Sequence, residues 1–386
     1  LEAFIVRKLD PHALEPGMIL LEAVITPSGQ ILADPGSEVT RQLINRMKLY
    51  RVDFAVVEGE DPIPETVPEP EPEPEPAPAP APEPPRPRTH IEESKTAKQK
   101  VAASDEFHTF QMQYFLCMEE LKKVFADIID HGKAIEPDTL LENVAQLFRA
   151  RNTITELFDM LNNMRTVDDS VYAHNLNVAL ISRMIGRWLH LDAGDLNTLT
   201  LAGLLHDIGK AMIPEEILNK PGSLTDEEFE LIKSHTRLGY DVLKYQDIDL
   251  RIKNAALMHH ERSDGSGYPS HLTDEDIDDF AKIIAIADVY DAMTAARSYR
   301  APLCAFQVIS NFERDGYQKY HTKYLLTFLK RIATTYQSNR VVLSDGRGCK
   351  IVMLNQNDLS RPIVQFDDKS CLDLSTNRDL FITAII

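Results

Sequence analysis

Seven residues in the middle of this 386-residue chain, His174, His206, Asp207, His235, His259, His260 and Asp288, are of types that could do chemistry together. Each alone has an ordinary reading; His174, in DDSVYAHNLNV, could be a polar residue near a helix start. His206-Asp207 is harder to explain so, because the pair ends the apolar run LTLAGLL and is stopped at once by Ile208-Gly209-Lys210. A buried helix that ends in an imidazole, a carboxylate and an ammonium must offset their desolvation. Asp288 sits inside IIAIADVYDAM among apolar neighbours, and a cation satisfies such a carboxylate most simply. Imidazoles mixed with carboxylates suit manganese, iron, cobalt, nickel or zinc, whereas calcium or magnesium would call for oxygen ligands alone. Seven donors are too many for one tetrahedral site. They suit two metals about 3.5 to 4 Å apart, bridged by a carboxylate and a hydroxide, which activate water and clamp a phosphoryl group.

His259 and His260 are adjacent in HHERSDGSGYP, residues 259–269. Neighbours lie about 100° apart around a helix, so both can serve one site only where the helix ends and the rings diverge. Asp264, Gly265 and Gly267 allow a tight turn there, and Tyr268-Pro269 fixes its far side.

LLHDIGK at 204–210 together with HHERSDGSGYP at 259–269 resembles the HD-GYP subgroup of the HD-domain phosphohydrolases, bacterial enzymes that hydrolyse cyclic di-GMP. The resemblance covers roughly residues 145 to 335. It implies that His206, Asp207, His235, His259, His260 and Asp288 ligate two metals, iron or manganese, with Asp207 as the bridge and His174 as an additional ligand. It further implies that Lys210 contacts the scissile phosphate and shares catalysis with Asp207, and that Asp291, Arg297, Arg300 and Tyr268 hold substrate. The reaction implied is a phosphodiesterase step giving pGpG by a metal-bridged hydroxide; the resemblance allows further cleavage to GMP and leaves it open. Some positions depart from the family pattern. Ser170 stands where members thought to bind three metals carry glutamate, which favours two. His271 and Asp274 occupy places where glycine is common, and Ala296 and Ser298 replace a usual aspartate and proline. Two alternatives are a receptor that binds cyclic di-GMP without turnover and a phosphodiesterase for another cyclic dinucleotide. A third, oxygen activation at a di-iron centre, fits Lys210 and the arginines less well.

The elements that must position these residues read as a multi-domain chain. PIPETVPEPEPEPEPAPAPAPEPPRPR, residues 62–88, has proline at nearly every second position, which forbids helix and sheet ladders and favours an extended spacer. Residues 62–103 are therefore a linker and connector. Before it, residues 1–61 carry short apolar runs, turn signals and one helical pattern, VTRQLINRMKL, which predict a small α/β regulatory or interaction module. Residues 104–338 show apolar positions at three- and four-residue intervals, with Gly and Pro between segments. They predict an all-α HD-type catalytic domain with leading helices at 104–145. Residues 339–386 turn to short β-rich runs, a small C-terminal module, in which SDGRGCK reads as a plain hairpin turn.

A net charge of −19 argues against general nucleic-acid binding, which rests on a basic surface. An anionic substrate then needs metals or a local cationic cluster. The four cysteines, at 117, 304, 349 and 371, form no close pair, so they read as reduced thiols. No apolar run approaches the ~20 residues that cross a bilayer, and LEAFIVRKLDPH lacks the features of a signal peptide. A cytoplasmic location without membrane insertion is expected, with room for protein contacts through the N-terminal module or the GYP loop and for a homodimer.

Overall fold

The computed structural model describes residues 5–11, 13–25, 31–40, 43–44, 47, 52, 54–59, 104–149, 154–164, 170–218, 220, 222–295 and 302–386. The chain divides into two units, Leu1–Ser94 and Lys95–Ile386. In the first, strand β1 (Ile5–Leu9) pairs antiparallel with β4 (Ala55–Gly59), and β2 (Val24–Ile25) with β3 (Ile31–Ala33). Leu20, Val39, Met47 and Val57 are fully buried in its core. Helical backbone occurs at Leu43, Ile44 and Met47, inside the stretch whose spacing predicts a helix. The Pro-rich spacer and its connector lie outside the described residues.

The second unit opens with three helices, α1 (Asp105–His131), α2 (Pro137–Arg149) and α3 (Ile154–Met164). There follow α4 (Val171–Trp188), α5 (Ala193–Leu205), a short 3-10 helix (Ile208–Met212), α6 (Glu215–Leu218), α7 (Asp226–Lys233), α8 (His235–Leu243) and α9 (Leu250–Met258). The helical part closes with α10 (Asp279–Thr294), α11 (Ala305–Lys319) and α12 (Thr322–Thr335). Their starts are written in the sequence. Ser104, Ser170, Asp192, Asp249 and Asp278 each accept a backbone N–H of the first turn with their side chains. Thr225 and Glu228 form a capping box on α7. Each such cap is worth about 0.5–2 kcal/mol. None of the described helices is long and apolar enough to cross a membrane.

Helices α4, α5 and α10 form the centre, with Val178, Leu180 and Ile181 on α4, Leu199 and Leu205 on α5, and Ile284, Ile286 and Ala287 on α10 all fully buried. Burial of each large apolar side chain stabilises the fold by about 1.5–3 kcal/mol. That rigid centre carries four of the seven chemical residues at or next to its helix ends and faces.

The C-terminal strands form one antiparallel sheet in the order β8-β7-β6-β5-β9, with β5 (Arg340–Leu343), β6 (Gly348–Met353), β7 (Ile363–Gln365), β8 (Cys371–Asp373) and β9 (Ile382–Ile385). SDGRGCK makes the β5–β6 hairpin, with Gly346 at φ 85° in the left-handed region, where a residue lacking Cβ carries no steric cost. Alternation along these strands buries Val341, Leu343, Cys349, Ile351 and Val364. They join the same hydrophobic core as Phe306, Leu325 and Phe328 of α11 and α12. On α11, the Glu313 carboxylate also accepts the backbone N–H of Leu359 at 2.6 Å and of Ser360 at 3.2 Å. The sheet is thus a wall of the helical unit.

Candidate metal centre

Two glycines let the site assemble. A Cβ on Gly203 would lie 2.6 Å from Ala179 Cα, so only glycine allows α5 to approach α4 as it does. That approach sets His174, in the first turn of α4, 5.4 Å from His206 between ring centroids. A Cβ on Gly209 would overlap the His235 carbonyl, so the 3-10 helix after Asp207 abuts the start of α8 and delivers His235. His259 is the C-cap of α9 with His260 directly after it; the adjacent pair stands at a helix end, and rather than diverging the two rings lie together, centroids 4.2 Å apart, with donor atoms in the same set.

Backbone carbonyls fix three of the imidazoles. His206 Nδ1 lies 2.8 Å from Gly203 O, His235 Nδ1 2.5 Å from Ile232 O, and His259 Nδ1 2.9 Å from Ala255 O. A carbonyl only accepts, so each Nδ1 carries the proton and donates, leaving each Nε2 with a lone pair pointing inward.

Those lone pairs converge on Asp207. Its Oδ1 is 3.2 Å from His235 Nε2 and 3.5 Å from His259 Nε2. Its Oδ2 is 3.4 Å from His206 Nε2 and 3.6 Å from His174 Nε2, and Lys210 Nζ donates to the same oxygen. Asp288, on α10, turns Oδ1 to His174 Nε2 at 3.1 Å and Oδ2 to His260 Nδ1 at 3.8 Å. Among the described residues, two sets bring their donor atoms within 4.8 Å of one another: Asp207 with His235, His259 and His260, and His174 with His206 and Asp207. Asp207 belongs to both. Asp288 lies outside both sets but faces a member of each.

The residues fit divalent transition metals. His206 Nε2 and Asp207 Oδ1 are buried and make no hydrogen bond, a cost of about 1–3 kcal/mol each when nothing answers them. A cation held among mixed imidazole and carboxylate donors would satisfy both. Protonation states suit this. Burial holds the His206 imidazole down at about 3 even beside Asp207, and burial also lowers His235 and His260, so these rings are neutral, the form in which an imidazole can bind a metal. Burial pushes the Asp207 carboxyl up, but the Lys210 ammonium leads the groups that outweigh it and hold it well below the usual range. Asp288 is likewise held down, against burial, by His174 and His260. His174 differs: burial pulls it down, yet Asp288 and Asp291 outweigh burial and raise it to about 9.

The remaining sequence candidates fall as follows. Asp291 is 2% exposed, and its Oδ2 lies 2.8 Å from His174 Nδ1, where a carbonyl serves His206, His235 and His259. The Tyr268 ring stacks on His260 with centroids 4.7 Å apart. Arg297 and Arg300, with Ala296 and Ser298, lie outside the described residues. His271 takes φ 56°, in the left-handed region that favours glycine. Asp274 accepts from Ser263 Oγ at 2.6 Å and so helps close the loop.

Sequence reasoning missed Glu261. It is buried, and its two carboxylate oxygens accept Ser270 N–H at 2.6 Å and Leu272 N–H at 3.0 Å. Gly267 packs so close that a Cβ there would sit 2.5 Å from Glu261 Cα and from His260 O. The GYP loop is therefore latched back over the histidine pair. The one available signal was a carboxylate following two metal-type histidines in a stretch that must fold back.

Residues 138–321 match the model of the HD domain, a range that contains the whole cluster. Over 222 residues the chain is 34% identical to cyclic di-GMP phosphodiesterase PA4108 of Pseudomonas aeruginosa, covering 56% of this chain and 52% of that one. Over 229 residues it is 32% identical to a cyclic di-GMP phosphodiesterase of Thermotoga maritima, covering 58% of each. It is also 36% identical over 164 residues to the 3'3'-cGAMP-specific phosphodiesterase 2 of Vibrio cholerae, covering 42% of this chain and 31% of that one. The chain spans about half the length of the first two relatives. With the HD pair at its centre and the GYP loop latched above it, the stretch 138–321 of the helical unit is similar to the HD domain.

Proposed function

We propose that this chain is a metal-dependent phosphodiesterase that hydrolyses cyclic di-GMP to pGpG. The observation that carries this is Asp207: each of its oxygens faces two imidazole nitrogens, and a lysine sits on the same carboxylate. His174, His206, Asp207, His235, His259, His260 and Asp288 would hold two divalent ions, iron or manganese. When bound, such ions supply Lewis-acid charge for phosphoryl oxygens and make water acidic enough to ionise near neutrality.

The chain's own groups do the rest. Carbonyl-bound Nδ1 protons fix His206, His235 and His259, so none of these three rings must turn as substrate arrives. Lys210 places an ammonium beside Asp207, where it can shift to phosphoryl oxygens or to the departing ribose 3' oxygen. Arg297 and Arg300 add bidentate phosphate contacts, and Tyr268 walls the side of His260. Asp291 orients His174. The same reading assigns regulation to the N-terminal unit and a cytoplasmic setting in which the four free cysteines stay reduced.

The test is turnover by the purified chain supplied with manganese or ferrous iron, with products separated and bound metal measured in the same sample. About two ions per chain and release of pGpG are expected. Binding of cyclic di-GMP without any product would instead make the protein a receptor. The similarity to a cGAMP-specific relative favours one second reading, a mixed cyclic dinucleotide as substrate. Rates measured side by side on the two dinucleotides decide between them.

A further inference from the structure

Helix α7, DEEFELIK, buries none of its eight residues, and Phe229 on it is 47% exposed. A lone exposed ring carries little meaning, but this one has specific neighbours. Lys233, one turn on, holds its ammonium 4.7 Å from the centroid of the Phe229 ring and 5.6 Å from that of Tyr268. Tyr268 in turn stacks on His260. A phenyl face, an ammonium, a phenol ring and an imidazole of the candidate metal centre thus follow one another from solvent inward. Glu230 takes one ammonium N–H of Lys233 at 2.6 Å, which leaves two donors free for a ligand.

We propose that Phe229 and Lys233 form a guanine subsite of the candidate active site, Phe229 stacking on the base while Lys233 donates to its O6 and N7. This rests on the cyclic-dinucleotide reading above. Every nucleobase offers a π face to an aromatic side chain. Guanine presents O6 and N7 as acceptors, whereas adenine offers an N6 amino donor in place of O6. An ammonium at the edge of the stacked ring therefore selects guanine. A protein partner is the weaker occupant, because such interfaces need a contiguous apolar patch of several hundred Å² and the charges of Glu230 and Lys233 interrupt this face.

The experiment uses the full metal-loaded chain and three diesters: cyclic di-GMP, cyclic di-AMP, and methyl 4-nitrophenyl phosphate, which has no base. Phe229→Ala is expected to raise KM for cyclic di-GMP about 5- to 100-fold with kcat nearly unchanged and no effect on the small diester. Phe229→Trp should restore KM, and Lys233→Met should narrow the preference for cyclic di-GMP over cyclic di-AMP. An unchanged KM for cyclic di-GMP in Phe229→Ala, or an equal loss on the small diester, overturns the subsite while leaving the function standing. If the unaltered protein cleaves the small diester but neither cyclic dinucleotide, the substrate reading fails and the subsite falls with it.

Discussion

The carboxylate of Asp291 meets Nδ1 of His174 at 2.8 Å, which turns the histidine's other nitrogen toward Asp207 and Asp288. A carboxylate partner both orients an imidazole and raises its basicity, and losing such support typically costs 10- to 100-fold in metal affinity or activity. Asp291→Asn should therefore weaken metal binding by about that factor, read by competition with a chelator of known affinity. An effect on KM alone, with metal affinity intact, would assign Asp291 to substrate instead.

Asp207→Ala should remove metal and turnover together. Because Asp207 serves both donor sets, the loss should exceed the ~100-fold that a supporting group costs. Elemental analysis beside an activity assay reads both. A variant that keeps either one at the unaltered level would show that Asp207 does not tie the two donor sets together.

Gly203→Val tests the approach of α5 to α4. Valine is a better helix residue than glycine by a few tenths of a kcal/mol, so propensity alone favours it slightly. The clash with the Ala179 backbone forces the helices apart at about 1–3 kcal/mol, so the net change is a loss. A lower urea midpoint and a lower metal content are expected; an unchanged midpoint would mean the contact relaxes freely.

Glu261→Gln replaces two carboxylate acceptors by one amide oxygen and an NH2 that meets a backbone N–H. Leaving that donor unanswered costs about 1–3 kcal/mol, concentrated in residues 264–272. Faster limited proteolysis within that loop is the expected signature, together with a lower kcat as Tyr268 leaves His260. Resistance equal to that of the unaltered protein would remove the latch.

Thiol chemistry gives a pH test. Burial pushes Cys117 up to about 12 and Cys349 to about 11, and it raises Cys304 as well. The nucleophile is the thiolate, so at pH 8 these three stay protonated, and reaction would grow only as pH rises toward those values. Cys371 is exposed. A disulfide reagent at pH 8 should label one thiol rapidly in the native protein and four after unfolding; a second rapid thiol would contradict the packing around the others.

The candidate metal site is legible in residue types, because histidines beside apolar helix ends have few other reasons to be there. Their convergence is not, since it depends on Gly203 and Gly209 allowing backbone contacts that no periodicity reports. Asp291 shows the same limit. Its spacing from Asp288 places both on one helix face, but which of them meets His174, more than a hundred positions away, is decided by how α4 packs on α10. Glu261 is hidden because a buried carboxylate answered by backbone N–H groups looks, as a letter, like any surface glutamate. In the strands, alternation tells that Val341 and Leu343 are covered, and nothing local tells that helices α11 and α12 do the covering.

That shared packing governs how the protein can be cut. Val341, Leu343, Ile351 and Val364 lie in one core with Phe306 and Phe328, so a chain ended near residue 338 would leave a raw apolar surface on α11 and α12. The helical portion is not separable at the point where the composition changes. Trimmed there, it should precipitate or take up hydrophobic dye, whereas a cut inside the proline-rich stretch removes no residue of this core.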